Sequence, residues 1–78
     1  MNFTGAHILS IKQFERADIQ RIFDVADAME PYALRRKVTR VLEGAILGNM
    51  FFEPSTRTRV SFGSAFNLLG GNVRETTG

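Results

Sequence analysis

Residues 51–59 read Phe-Phe-Glu-Pro-Ser-Thr-Arg-Thr-Arg and join an apolar run, 45–52, to an amphipathic one. A short apolar run that ends in two aromatic residues predicts a buried β-strand. Pro54 cannot donate a hydrogen bond to a sheet and disfavours helical geometry at the residue before it, so the strand is expected to end there. Ser55 is a favourable N-cap residue and predicts a helix that begins directly after it. The stretch therefore predicts a strand, a tight turn and a helix N-terminus.

The predicted helix start offers several hydrogen-bond donors to an anion. Backbone amides of a first helical turn lack partners within the helix, and aligned peptide dipoles place partial positive charge there. Four consecutive side chains add three hydroxyls and one guanidinium, namely Ser55, Thr56, Arg57 and Thr58. The helix dipole contributes only about 0.3–1 kcal/mol, so most of the affinity for a phosphate group would come from these convergent donors. An ordinary helix start with a solvated first turn fits the same residues, and both interpretations stay open at this point.

The longer segment 51–62 resembles a known motif. Its sequence, Phe-Phe-Glu-Pro-Ser-Thr-Arg-Thr-Arg-Val-Ser-Phe, is similar to the carbamoyl-phosphate-binding motif of the aspartate and ornithine carbamoyltransferases. Residues 68–73, Leu-Leu-Gly-Gly-Asn-Val, also resemble that family. Within the family, Glu53-Pro54 resembles the aspartate branch, because the ornithine branch usually carries a threonine at the position of Pro54.

The resemblance implies a reaction and a role for each of the four residues. Carbamoyl phosphate would place its phosphate on Ser55, Thr56, Arg57 and Thr58, and the amino group of L-aspartate would attack the carbamoyl carbon. The tetrahedral intermediate would collapse to N-carbamoyl-L-aspartate and phosphate, an early step of pyrimidine biosynthesis. Arg57, at the leaving phosphate, and Thr58, at the carbamoyl oxygen, are the implied catalytic residues. Such a reaction needs no metal and no organic cofactor, since it relies on positioning and on donors placed where charge develops.

The order of the elements predicts an α/β fold with a parallel sheet. Helix, strand, helix and strand are predicted over residues 11–29, 45–52, 56–69 and 72–76. Pro31 should end the first helix near Glu30, and Gly70-Gly71 should form the left-handed end of the second. The second helix is expected to pack through Phe62, Ala65, Phe66 and Leu69, and the continuous apolar run before it predicts a strand covered on both faces. With the resemblance, residues 1–78 would be the opening portion of a doubly wound carbamoyl-phosphate-binding domain.

Composition excludes several other classes of protein. The chain has 78 residues, 44% hydrophobic and 23% charged, as in ordinary globular proteins. A net charge of +2 is too small to indicate nucleic-acid or membrane binding, and the basic run 35–40 is interpreted as a solvated connection. There is no cysteine, apolar runs are far shorter than the ~20 residues of a membrane span, and residues 1–10 do not resemble a signal peptide. His7 is interpreted as structural, and the aspartates Asp18, Asp24 and Asp27 as surface charges and not metal ligands.

The resemblance also implies partners and limits. The family's serine- and lysine-containing loop, its His-Pro motif and its aspartate-binding domain do not occur in these 78 residues, so we expect this segment alone to be inactive. The resemblance implies a cytoplasmic homotrimer with active sites between subunits, and it allows regulatory subunits as further partners. Two alternatives remain: an ornithine or related carbamoyltransferase, and a non-enzymatic module that binds anions or nucleic acid through the basic run 35–40. A steep dependence of binding on salt would identify the nucleic-acid binder.

Overall fold

The structure, a computed structural model, describes residues 1–77 and contains two compact units, residues 1–30 and the residues from 31 onward. In chain order the elements are a 3-10 helix, helix α1, strand β1, helix α2 and strand β2, at Ile11–Gln13, Arg16–Ala33, Ile46–Phe51, Thr56–Leu68 and Asn72–Thr77. The predicted order of helix, strand, helix and strand is confirmed. Across the described residues, no helix combines the length and apolar character that a membrane span requires.

The first unit is organised around the start of α1. Ser10 and Gln13 form a reciprocal capping box at the 3-10 helix. The carboxylate of Asp18 accepts a hydrogen bond from the Glu15 amide at 2.8 Å and pairs with the α-amino group of Met1 at 3.0 Å. Donation from the Glu15 amide is the main cause that lowers the pKa of Asp18, and the Met1 amino group adds to it. The interpretation of Asp18 as a surface charge is therefore wrong, because its side chain is buried and fixes the helix start.

Helix α1 differs from its prediction at both ends. It begins at Arg16 and continues past Pro31, which lies in its last turn. A proline so close to a helix end removes one backbone bond only, and here the Pro31 carbonyl accepts a bond from the Arg36 amide at 2.8 Å. Arg35 adopts φ 61° and its amide donates to the Tyr32 carbonyl at 3.2 Å, which completes a Schellman-type end. This closing turn explains why the proline does not stop the helix at Glu30.

Strands β1 and β2 form a parallel pair, as predicted. Their register runs from Ile46 opposite Asn72 to Phe51 opposite Thr77. Burial alternates along β1. Asn49 is buried on the covered side of the strand, whereas Ile46 and Met50 are more than 60% exposed. The expectation of a strand covered on both faces is thus not met within residues 1–77, where α2 packs on one face of the sheet.

The face of α2 that meets the sheet is centred on Gly63. This glycine is buried, and a Cβ built on it would lie 3.5–3.8 Å from side chains of both strands. Phe62 is 60% exposed and Ala65 is also exposed, so the predicted packing stripe holds only at Phe66 and Leu69, which are half-buried. The stripe was misplaced because a glycine allows close backbone approach without adding any apolar side chain to the pattern.

The end of α2 follows its prediction. Gly70 has φ 95°, and the amides of Gly70 and Gly71 donate to the carbonyls of Asn67 and Phe66 at 3.0 and 3.1 Å. This is the Schellman arrangement, which requires a left-handed residue at the position of Gly70. The Leu69 carbonyl then accepts a bond from the Leu42 amide at 2.8 Å, which holds the segment before β1 against the helix end.

Candidate functional site

The turn between β1 and α2 lies at the carboxyl end of β1. The strand ends at Phe51 and the helix begins at Thr56, so residues 52–55 form the turn. In parallel α/β sheets, ligands bind beyond the carboxyl ends of the strands. The predicted unit of strand, tight turn and helix N-terminus is confirmed, and it stands at the edge where a ligand is expected.

Ser55 occupies the N-cap position, but its hydroxyl makes no capping bond to the helix. Its carbonyl accepts the first hydrogen bond of α2, from the Arg59 amide at 2.8 Å. The side chain is half-buried, beside the turn. A serine at this position usually satisfies one amide of the first turn with its own oxygen. Because Ser55 does not, both its hydroxyl and the amide remain available to an external acceptor.

The first turn of α2 carries further donors. Among residues 1–77, no backbone or side-chain acceptor bonds the amides of Thr56, Arg57 and Thr58. Such amides at the positive end of a 13-residue helix attract anions. These amides are unpaired within the described residues, and their binding of an anion stays a prediction.

A shallow depression adjoins this turn. It is lined by residues 51–56 and by Arg59, and its volume is about 290 Å³. Ligand pockets typically enclose roughly 300–1,000 Å³, and this open depression lies just below that range. Ser55 and Thr56, two of the four predicted site residues, lie in its wall.

Arg57 and Thr58 do not line this depression. Both are exposed, and in the described part of the chain neither side chain makes a hydrogen bond or an ion pair. The two arginines of the motif are two residues apart, which places Arg57 and Arg59 on opposite sides of the helix. Arg57 is thus an uncommitted cation beside the first turn, and its role at the phosphate stays a prediction.

Arg59 is committed to the body of the fold. Its guanidinium Nη1 pairs with Glu75 Oε2 at 2.6 Å, a structural ion pair. Its carbonyl accepts a hydrogen bond from Asn49 Nδ2 at 2.9 Å. The sequence reasoning missed Asn49 and Glu75. The one signal for Asn49 was a polar residue inside the apolar run 45–52, and Glu75 carried none.

Other clusters of polar residues do not form a site in the described residues. No group of three or more His, Cys, Asp or Glu side chains there could hold a metal ion. The basic residues of the run 35–40 are exposed, and Arg40 pairs with Glu43 at 3.4 Å. His7 contributes its carbonyl to a bond from Gln13 Nε2 at 2.8 Å, in line with a structural role.

The fold and the turn define a class: a parallel α/β protein in which a helix N-terminus with unpaired amides follows the carboxyl end of the first strand. Residues 6–78 match the family model described as aspartate/ornithine carbamoyltransferase, carbamoyl-P binding domain. The chain belongs to this family, and the resemblance noted in the motif is confirmed.

Relatives and solved structures agree with this assignment. The aspartate carbamoyltransferase catalytic subunits of Cellvibrio japonicus and Saccharophagus degradans are 92% and 86% identical over the whole chain, which spans 23% of the length of each. Aspartate transcarbamoylase from Trypanosoma cruzi, in complex with carbamoyl aspartate and phosphate, superposes with a TM-score of 0.84 at 40% identity, over 94% of this chain and 24% of that one. The catalytic subunit of M. jannaschii aspartate transcarbamoylase gives 0.82 at 42% identity, over 91% and 23%.

Proposed function

We propose that residues 1–78 are the N-terminal part of the carbamoyl-phosphate-binding domain of an aspartate carbamoyltransferase. One observation carries the proposal: the amides of Thr56, Arg57 and Thr58 and the Ser55 hydroxyl have no partner within the described residues. In a chain of this family, four neighbouring unpaired donors at a helix N-terminus suit a phosphate dianion.

The proposed mechanism uses these donors in sequence. Ser55, Thr56 and the backbone amides hold the phosphate, and Arg57 neutralises it. The amino group of L-aspartate attacks the carbamoyl carbon while Thr58 donates to the carbamoyl oxygen, on which charge develops. The tetrahedral intermediate then collapses as the bond between the carbamoyl carbon and the phosphate oxygen breaks, and the attacking nitrogen gives one proton to the departing phosphate, which Arg57 and the helix N-terminus hold. Positioning of the two substrates supplies the remaining catalysis.

The acceptor substrate is proposed to be L-aspartate. The relatives that are 92% and 86% identical are aspartate carbamoyltransferase catalytic subunits, and Pro54 fits that branch. The groups that would bind aspartate belong to the larger remainder of such an enzyme, because this chain spans 23% of those relatives. A homotrimer in the cytoplasm is proposed for the full-length enzyme, open to regulatory subunits, and the 78-residue segment alone is expected to be inactive.

The experiment uses a full-length carrier. We define the host chimera as the Cellvibrio japonicus catalytic subunit in which this chain replaces the corresponding segment, a replacement that 92% identity makes conservative. Arg57→Ala in the host chimera should lower kcat for carbamoyl-aspartate formation by about 100-fold or more, the usual cost of removing one donor to developing charge. Arg36→Ala is the matched control, since Arg36 is likewise exposed and its side chain makes no bond in the described residues.

Comparing kcat with Tm distinguishes a loss of catalysis from a loss of folding. The control should retain the activity and Tm of the unsubstituted chimera, and Arg57→Ala should retain the Tm alone. Equal kcat in Arg57→Ala and Arg36→Ala would remove Arg57 from the site and, with it, the proposed phosphate cradle.

A further inference from the structure

We infer that Asn49 and Glu75 are positioning residues for the anion-binding turn and that they act through Arg59. The inference rests on the proposed function, because the turn they position is the proposed phosphate site. It assigns a task to a buried polar group of β1 that the proposed mechanism leaves unused.

Arg59 is held at two points. Asn49 Nδ2 donates to its carbonyl at 2.9 Å, and Glu75 Oε2 accepts from its guanidinium at 2.6 Å. Asn49 Nδ2 also approaches Glu75 Oε1 at 3.5 Å, and the two residues are direct partners in the strand register. Both strands therefore fix the same residue of α2, one by its backbone and the other by its side chain.

Arg59 transmits this constraint to the turn. Its amide donates to the Ser55 carbonyl at 2.8 Å, the bond that sets the start of α2. Arg59 also lines the depression together with Ser55 and Thr56. A shift of Arg59 must therefore displace the N-cap residue and the amides that follow it, and a displacement of about 1 Å at a reacting centre can cost as much as 100-fold in rate.

The ion pair also makes the two arginines of the motif electrostatically different. Glu75 neutralises Arg59 in the wall of the depression, whereas Arg57 has no carboxylate partner in the described residues. An arriving phosphate thus meets one free guanidinium, Arg57, at the first turn. Asn49 is only 5% exposed. Its side-chain amide therefore cannot replace the hydrogen bond to the Arg59 carbonyl with one to water unless α2 separates from the sheet.

The test measures kcat/KM for carbamoyl phosphate in the host chimera carrying Asn49→Ala, Glu75→Gln or both. Each single variant should lower kcat/KM by about tenfold at temperatures well below its Tm, since the turn is displaced but not removed. The double variant should fall by less than the product of the two, because both changes act on Arg59. Glu75→Asp, which keeps the charge on a shorter stem, should recover part of the loss.

Glu43→Gln is the matched control. Glu43 pairs with Arg40 at 3.4 Å, but both side chains are more than 60% exposed and lie outside the depression. The inference is overturned if Glu75→Gln keeps kcat/KM within twofold of Glu43→Gln, whatever happens to its Tm. Glu75 is partly exposed, so this variant is expected to fold even if Asn49→Ala does not. Failure of the proposed function is distinguishable, because it appears as an inert Arg57→Ala.

Discussion

Replacing either of two glycines of the second unit by alanine should change the free energy of unfolding, but in opposite directions. A Cβ at Gly71 would overlap the ring of Phe66, with the ring Cζ still only 3.1 Å away. A Cβ at Gly63 would meet nothing closer than 3.5 Å, which is ordinary van der Waals contact. Gly63 lies inside α2 and Gly71 just beyond its end, so the same added methyl group tests two different constraints.

The magnitudes follow from these contacts. Overpacking of a well-packed position typically costs about 1–3 kcal/mol, so Gly71→Ala should destabilise the fold by about 2 kcal/mol as the Phe66 ring is displaced. Alanine is favoured over glycine inside a helix by about 0.5–1 kcal/mol, so Gly63→Ala should be neutral or stabilising by up to that amount. The free-energy difference between the two variants is thus about 2–3 kcal/mol.

The assay is the Tm of each variant of the host chimera at one fixed scan rate. The 78 residues are 23% of the relative's length, so the host chimera is longer than the 150–250 residues for which 1 kcal/mol shifts Tm by about 2–4 °C. The shift per kcal/mol is therefore smaller, and Gly71→Ala should melt measurably below Gly63→Ala. The reasoning is refuted if Gly71→Ala melts with the unsubstituted chimera, or if Gly63→Ala is the less stable of the two. The second result would mean that α2 packs on the sheet even more closely than the structure indicates.

Two further predictions concern Ser55 and Asp18. Ser55→Ala should change the free energy of unfolding by less than about 0.5 kcal/mol, below the usual cost of losing an N-cap, because the Ser55 hydroxyl makes no capping bond. Titration with inorganic phosphate should nevertheless show weaker binding. A large drop in Tm would contradict the observed geometry. Asp18→Asn should remove a stabilising contribution that depends on pH. The folded pKa of Asp18 is lowered below 3.8, so its contribution is fully present above that value and is lost as pH falls through the folded pKa. Stability measured from pH 7 down to well below pH 3.8 should therefore differ between the two proteins at neutral pH and converge at the acid end, and a constant difference would exclude the ionised Asp18 carboxylate as its source.

The sequence was sufficient for those features that local chemistry controls. Pro54, Ser55 and Gly70 set the ends of their elements through backbone geometry alone, and the structure has each boundary within two residues of its prediction. Pro31 failed as a helix stop because it lies in the last turn, where a local Schellman-type end closed by the left-handed Arg35 uses its carbonyl and the helix continues to Ala33. Asp18 failed as a surface residue because its partner, the chain's own amino group, carries no sequence signal.

The two arginines of the motif mark the limit of sequence reasoning at the site itself. Helical periodicity is enough to place Arg57 and Arg59 on opposite sides of α2, but not to decide which of them is free to bind an anion. That decision is made by Glu75, 16 residues further along the chain, which reaches Arg59 only because β2 returns parallel to β1 in the observed register. A change of one residue in that register would turn Glu75 to the other face of the sheet and leave Arg59 as a second free cation. The charge that the turn presents to the proposed phosphate therefore depends on strand pairing as much as on the motif.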